Sequence, residues 1–355
     1  MLTSVGEGSC ALWDSAHQKR PLTVNGFGDV GETAEAIALS CAAQAMKMAG
    51  WTHLNSDDGF ILATTTGQAS LWEKDLVDVL SGDRGDGPMP PSLEKIPLAS
   101  LMTTLANRWE FSGRTQVVTS ACAASIHALG LACSWLRTRK VKRCLVGGTE
   151  VLCTLIRNGF ESLQLLSKSP CKPFDANRSG INLSEGGAFL CLETSSPNPL
   201  GQILGHGFSL DAYHSTSPHP EGRGSVKAMQ CALQMAGVAP SQLDWVHAHG
   251  TGSFHNDQAE ALAIKSIFNE MAIPPITSTK GTHGHFLGAT GIVEVALVLE
   301  SLKRQVVLPT TGFESANPEL GLPIVTEPQS RKLDYVLKNV LGFGGTNGAL
   351  VVGRA

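Results

Sequence analysis

A chain of 355 residues, 42% of them hydrophobic and only 16% charged, has ample apolar surface for one large domain or two fused ones and excludes a disordered polymer. Its formal net charge of −4 argues against non-specific nucleic-acid binding. Nine cysteines, odd in number and without a CxxC pair, exclude a disulfide framework and a ribbon-type zinc site, and fit a reducing, cytoplasmic setting.

The first residues, "MLTSVGEGSC", have no basic segment leading into an apolar run, so no secretory signal is expected. The stretch "AAQAMKMAG" (42–50) has the spacing of an alanine-rich helix, and Asp58 then opens a short apolar run ending in a Thr-Gly loop, "GFILATTTG". The same order recurs later, where "MQCALQMAG" (229–237) is followed by Asp244 and "WVHAHGTG". Two copies of helix, acid, strand and Thr-Gly loop predict an α/β chain of two similar halves. The seam falls near "SSPNPLG" (195–201), where proline and glycine concentrate, giving halves 1–198 and 199–355.

Between these copies, "TQVVTSA" reads as a buried strand, and the nearly all-apolar residues 123–136 read as a helix buried on every side. Cys122 therefore falls in the turn between them. Small neighbours permit a tight turn, and the positive end of the helix dipole is expected to lower the thiol pKa, making Cys122 a candidate nucleophile. Cys133, Cys144, Cys153, Cys191 and Cys231 read as inert fillers of the core. The basic run "RTRKVKR" (137–143) could dock an acidic partner, but reads better as the cationic end of that helix.

Three later stretches offer polar groups at predicted strand ends, where sites of α/β folds are built. "VHAHGTGSFHND" (246–257) places His249 beside Thr251 and Ser253; "STKGTHGHFLGATG" (278–291) places Lys280 and His285 before an apolar helix; "LGFGGTNGALVV" (341–352) puts Phe343 in a glycine turn. That helix contains the most apolar late stretch, Ile292 to Leu302, whose Glu294 and Glu300 argue against a membrane span. An alternative is a zinc site drawn from His247, His249, His283 and His285 with Asp257 or Glu294, which would leave Cys122 and the Phe343 turn without a role.

Six collinear stretches, namely "VVTSACAAS", "CKPFDANRSGINLSEGGAFLCLE", "DAYHSTSPHPEGRG", "HAHGTGSFHND", "STKGTHGHFLGATGIVE" and "GFGGTNGALVV", resemble the β-ketoacyl-[acyl carrier protein] synthases of the thiolase superfamily over nearly the whole chain. The resemblance implies a five-layer αβαβα thiolase-like fold with two pseudo-symmetric halves. It also implies that Cys122 is the acylated nucleophile, His249 and His285 the catalytic pair, and Lys280 and Glu294 their charged support. Thr251 and Ser253 match positions that hold the pantetheine arm, and Phe343 matches a gate whose backbone N–H joins that of Cys122 in an oxyanion hole. Asp175, Arg178 and Glu185 match a framework motif read as structural.

A Cys-His-His set resembles the elongating branch, which condenses an acyl thioester with a malonyl thioester in fatty-acid, polyketide or polyene synthesis and needs no cofactor beyond the carrier's phosphopantetheine. The implied partners are acyl carrier protein and a second subunit, in a homodimer or a heterodimer with a ketosynthase-like chain. A non-catalytic chain-length-factor subunit is the alternative reading, although such subunits typically lose the cysteine that this chain keeps. His285, near the start of an apolar helix, is expected to have its pKa lowered by the helix dipole.

Several residues depart from the family pattern. "LTSVGEG" reads as the loop that follows the family's first strand, so that strand, expected in the middle of the N-terminal sheet, is read as missing. A late start is preferred over a substitute strand as the reason. "ATTTGQ" (63–68), Ser184, Ser253 and Leu341 also differ, which bears on acyl-chain length more than on reaction type.

Overall fold

The computed structural model describes residues 33–83, 87–269 and 271–355, together with the backbone of residues 3–14. The N-terminal half contains β1 (Thr3–Asp14), α1 (Ala34–Met48), β2 (Gly59–Ala63), α2 (Ala69–Leu80), α3 (Ala99–Arg108), β3 (Arg114–Val118), α4 (Ala124–Arg137), β4 (Arg143–Glu150), α5 (Thr154–Ser162) and β5 (Gly186–Glu193). After it come β6 (Pro199–Leu210), α6 (Arg223–Ala236), β7 (Trp245–His247), α7 (Phe254–Phe268), β8 (Ile276–Thr277), α8 (Lys280–His283) and α9 (Thr290–Arg304). The short β9 (Val306–Val307) and β10 (Gln329–Ser330) pair with each other, and β11 (Tyr335–Gly342) and β12 (Thr346–Gly353) complete the chain.

Among the described residues, ten strands form one sheet in the order β3-β2-β4-β5-β1-β6-β12-β11-β7-β8. Read outward from the β1–β6 pair, each half has the same plan: an antiparallel neighbour, then strands that run parallel to one another at the outer edge. The two sequence copies, α1–β2 and α6–β7, occupy equivalent places, with β2 and β7 each one strand in from an end.

Three apolar clusters explain the layering. One gathers α1 and α3 against the N-terminal strands, one gathers α6 and α7 against the C-terminal strands, and the largest surrounds α4 and α9 between the two groups of strands. An αβαβα stack results, because each five-strand group must bury both faces and only a shared helical layer can cover the inner two. Helix α4 fills that layer well: ten of its residues are buried, leaving it no polar face.

Residues 3–14, read from the sequence as a loop after a missing strand, form β1, paired antiparallel with β5 through Ser4–Glu193 and Trp13–Gly187 and with β6 through Thr3–Ile203. The slot also lies at the inner edge of the N-terminal strands, not in their middle. The backbone groups of β5 and β6 need partners there, and that demand overrides the weak strand propensity of "VGEG"; the register shifts between Val5 and Cys10 absorb the misfit.

The basic run after α4 takes the structural reading. Arg139 adopts φ 56° just past the helix end, while Arg143 pairs with buried Asp58 at 2.6 Å and stacks over Trp51.

Candidate active site

The site lies at the C-terminal ends of strands from both halves, where α4 begins. Ala121, with φ 48°, takes a left-handed conformation that a non-glycine residue rarely adopts, and Ser120 and Cys122 bridge across the turn. This sharp strand-to-helix elbow thrusts the Cys122 side chain forward to line a cavity of about 510 Å3 shared with His249, His285, Thr251, Ser253 and Phe343. Sequence reading placed α4 at 123–136, within one residue of its observed span.

Opposite Cys122, the 342–346 turn is built to present an N–H. Gly344 and Gly345 both have φ above +70°, which a side chain would resist. Gly344 N–H donates to Ser215 O at 2.7 Å, and the Thr346 hydroxyl donates to Ser120 O at 3.0 Å, tying the turn to the elbow. The N–H groups of Phe343 and of Cys122 itself both lie against the sulfur and favour its charged form. The Phe343 ring stacks on Phe160 of α5, centroids 5.3 Å apart.

The thiol does not rest as a thiolate. Burial pushes the Cys122 pKa up to about 11, against the smaller opposing effects of Lys280 and the two N–H groups. The expected lowering by the helix dipole is therefore corrected: at 7% exposure, desolvation of the charge outweighs the dipole.

His249 and His285 stand edge to face, centroids 5.3 Å apart, and each places a ring nitrogen within 4.8 Å of the other's and of the Cys122 sulfur. Their tautomers follow from unambiguous donors. Leu287 N–H donates to His285 Nδ1 at 2.8 Å, so the proton of neutral His285 sits on Nε2. The Lys280 ammonium donates to His249 Nδ1 at 3.2 Å and to His249 O at 2.6 Å, so His249 likewise carries its proton on Nε2. Both rings stay neutral: burial first, then the Lys280 charge, brings His285 down to about 3 and holds His249 well below the ordinary imidazole range. The sequence expected the helix dipole to do this for His285, but burial is the main cause, and α9 starts five residues further on.

Two Nε2–H donors are of no use to a metal, which needs an imidazole lone pair there. Nor do the four imidazoles of the zinc reading converge. His247 and His283 instead meet Thr279 Oγ1, at 3.2 and 2.7 Å, and neither lines the cavity. Asp257 accepts N–H groups from Phe174, Thr251 and Gly252 and holds the 251–253 loop.

Lys280 and Glu294 lie behind the histidines, outside the cavity, paired at 2.6 Å. Thr251 and Ser253 share a 2.9 Å hydrogen bond at the cavity wall. Asp175 accepts N–H groups from Glu314 and Ser315, and Glu185 accepts one from Leu152, both as framework. Arg178, read as structural, holds the Asp175 carbonyl at 3.0 Å but also lines the cavity.

Three buried charges escaped the sequence reading. Glu260 accepts the N–H groups of His249 and Gly250 at 2.7 Å, and Glu150 accepts those of Thr66 and Gly288. Lys338 meets Glu294 from the side opposite Lys280, at 2.8 Å. For Lys338 the available signal was a charge inside the largely apolar stretch "YVLKNVLG".

Two family profiles match this chain, the N-terminal domain of beta-ketoacyl synthase over residues 32–198 and its C-terminal domain over residues 200–314. A putative mitochondrial 3-oxoacyl-[acyl-carrier-protein] synthase of Schizosaccharomyces pombe is 31% identical, aligning 88% of this chain with 79% of its own. For a 3-oxoacyl-[acyl-carrier-protein] synthase 2 of Staphylococcus aureus the figures are 36%, 67% and 61%. Among solved structures, a ketosynthase in complex with its chain length factor from Xenorhabdus doucetiae superposes with TM-score 0.85 at 25% identity, covering 100% of this chain and 98% of that one. A type II PKS acyl-carrier protein in complex with its ketosynthase gives TM-score 0.84 at 25% identity, over 92% and 85%.

Proposed function

This chain belongs to the β-ketoacyl synthase family of condensing acyltransferases, and from that premise we propose that it joins an acyl thioester to a malonyl thioester with loss of CO2, Cys122 carrying the acyl group. The observation that carries this reading is the facing of one buried sulfur by two neutral imidazoles, each with its Nε2–H free to donate.

In the first half-reaction the Cys122 sulfur attacks the acyl carbonyl carbon. The N–H groups of Cys122 and Phe343 receive the oxyanion, and the carrier thiol departs with the thiol's proton, so an acid of pKa about 11 never has to ionise in bulk solvent. In the second half-reaction malonyl thioester enters, its carboxylate leaves as CO2, and the bonding electrons pass into an enolate. The Nε2–H groups of His249 and His285 stabilise the enolate oxygen; a cationic imidazole would instead hand over its proton and quench the carbanion. The carbanion then attacks the acyl carbon on Cys122, expelling thiolate, which takes up one proton from solvent per cycle.

Thr251 and Ser253 at the cavity wall suit the amides of a pantetheine arm, and an acyl carrier protein is the proposed donor of both thioesters. No cofactor enters this scheme beyond that arm. Strand β3 supports a subunit partner: it pairs with β2 alone among the described residues, and Arg114, Thr115 and Gln116 are exposed. A second copy or a ketosynthase-like chain is the proposed occupant. Cys122, Cys144, Cys153, Cys171 and Cys231 are free thiols, which supports a cytoplasmic setting, and no helix among the described residues is long and apolar enough to cross a membrane. The intact sulfur and imidazole pair favour the synthase over a non-catalytic chain-length subunit.

The test is incubation with an acyl and a malonyl thioester of acyl carrier protein. A β-ketoacyl product two carbons longer than the primer is expected; release of free primer without that product contradicts the reading.

A further inference from the structure

Lys338 stands out from the site described so far, because its ammonium is completely buried yet touches neither the cavity nor solvent. It rises from β11, where it is registered against His247 of β7, the strand that ends two residues before His249. Its Nζ donates to Ala248 O at 3.1 Å and to Asn339 O at 2.7 Å, and lies 2.8 Å from Glu294 Oε2. Lys280 takes the other oxygen, Oε1, at 2.6 Å, so two lysines hold one carboxylate between them, oxygen by oxygen. Oε2 accepts no hydrogen bond among the described residues, so the ion pair with Lys338 is the contact that holds that oxygen.

We propose that Lys338 is a positioning residue of the condensing site: it fixes the Glu294 carboxylate so that Lys280 stays aimed at His249 Nδ1, and it adds its positive charge to the set that surrounds His249. This rests on the function proposed above.

The charges that face His249 come from every element around it. Lys280 and His283 lie on α8, Glu294 on α9, Glu260 and Asp257 on α7, Lys338 on β11, His247 on β7, and Cys122 and His285 across the cavity. Lys280, Lys338, Glu294 and Glu260 sum to zero, and Asp257 is balanced by Arg178, 3.9 Å away. Removing Lys338 leaves one negative charge in excess, which favours protonated imidazole; removing Glu294 as well restores the balance but not the aim of Lys280. Burial first, with the Lys280 charge beside it, holds Lys338 down to about 8 against the pull of Glu294 and Glu260, so the lysine is retained at a cost.

The experiment compares wild type, Lys338→Met and Lys338→Met/Glu294→Gln, each checked by thermal unfolding. One readout is decarboxylation of a malonyl-pantetheine thioester against pH; the other is the titration of the histidines by NMR, which needs no turnover. In Lys338→Met we expect kcat to fall about tenfold or more with KM little changed, and the imidazole titration and acid limb of the rate to move up by about one pH unit. In the double variant the titration returns towards wild type while kcat stays low. Should Lys338→Met not fold, Lys338→Leu carries the same two readouts. Wild-type kcat in a folded variant, or an unshifted titration in Lys338→Met, overturns the proposal. A wild type that does not decarboxylate the thioester overturns the proposed function instead, and the NMR arm still decides the role of Lys338.

Discussion

Replacing His285 by alanine isolates the contribution of one imidazole to enolate formation. The ring's Nδ1 is occupied by Leu287 N–H at 2.8 Å and Thr290 Oγ1 at 3.1 Å, so its one free group is the Nε2–H that faces the cavity. Loss of a single preorganised oxyanion donor in a water-poor site costs about 2.7–4 kcal/mol of transition-state stabilisation, or about a hundred- to a thousandfold in rate. The substitution also leaves Leu287 N–H buried without a partner, which costs about 1–3 kcal/mol of stability. The two effects separate, because the first is read from kcat below the unfolding transition and the second from the transition itself. The assay is CO2 release from malonyl-pantetheine by the isolated protein. A His285→Ala variant that is folded and decarboxylates within about threefold of wild type would refute the assignment, since a gap that small amounts to less than 1 kcal/mol.

Other outcomes follow from the same geometry. Cys122→Ala should abolish condensation while keeping malonyl decarboxylation, because the enolate is held by the imidazoles and not by sulfur; equal loss of both in side-by-side assays would contradict this. With its pKa raised to about 11, the Cys122 thiol should react with iodoacetamide at pH 7.5 at least about a hundredfold more slowly than a free cysteine, and mass spectrometry of the labelled peptide against a glutathione standard checks it. His247, His249 and His285 are neutral in the fold at pH values where the unfolded chain binds protons, so stability should fall as pH drops below about 6.5, towards the folded-state value of about 3 for His285; a pH series of thermal unfolding reads the slope. Cys122, Cys153 and Cys171 run the other way, each raised to about 11, so the stability they contribute is present below about 9 and lost as pH rises through about 11.

The sequence carried the frame because local patterns and global topology agree there. The strand, small-residue turn and apolar helix around Cys122 define an elbow before any coordinates are known, and the repeated helix–acid–strand pattern specifies two like halves. It misled where a three-dimensional demand outweighs a local one. The glycines of residues 3–14 argue for a loop, yet the open slot between β5 and β6 takes them as a strand. The dipole argument for a reactive thiol is sound at the end of an exposed helix and fails here, where burial dominates. Lys338 was easily passed over because a lysine within a strand ordinarily points to water; the topology, which flanks β11 with β7 and β12 and covers it with α9, shows that it cannot.

The most direct measurement is the mass of the Cys122 peptide after the enzyme meets an acyl-carrier thioester in the absence of malonate. The account requires an acyl group on that sulfur, present in wild type, absent in Cys122→Ala, and discharged when malonyl thioester is added. Turnover with the Cys122 peptide unmodified, or with the acyl group on another residue, would contradict it.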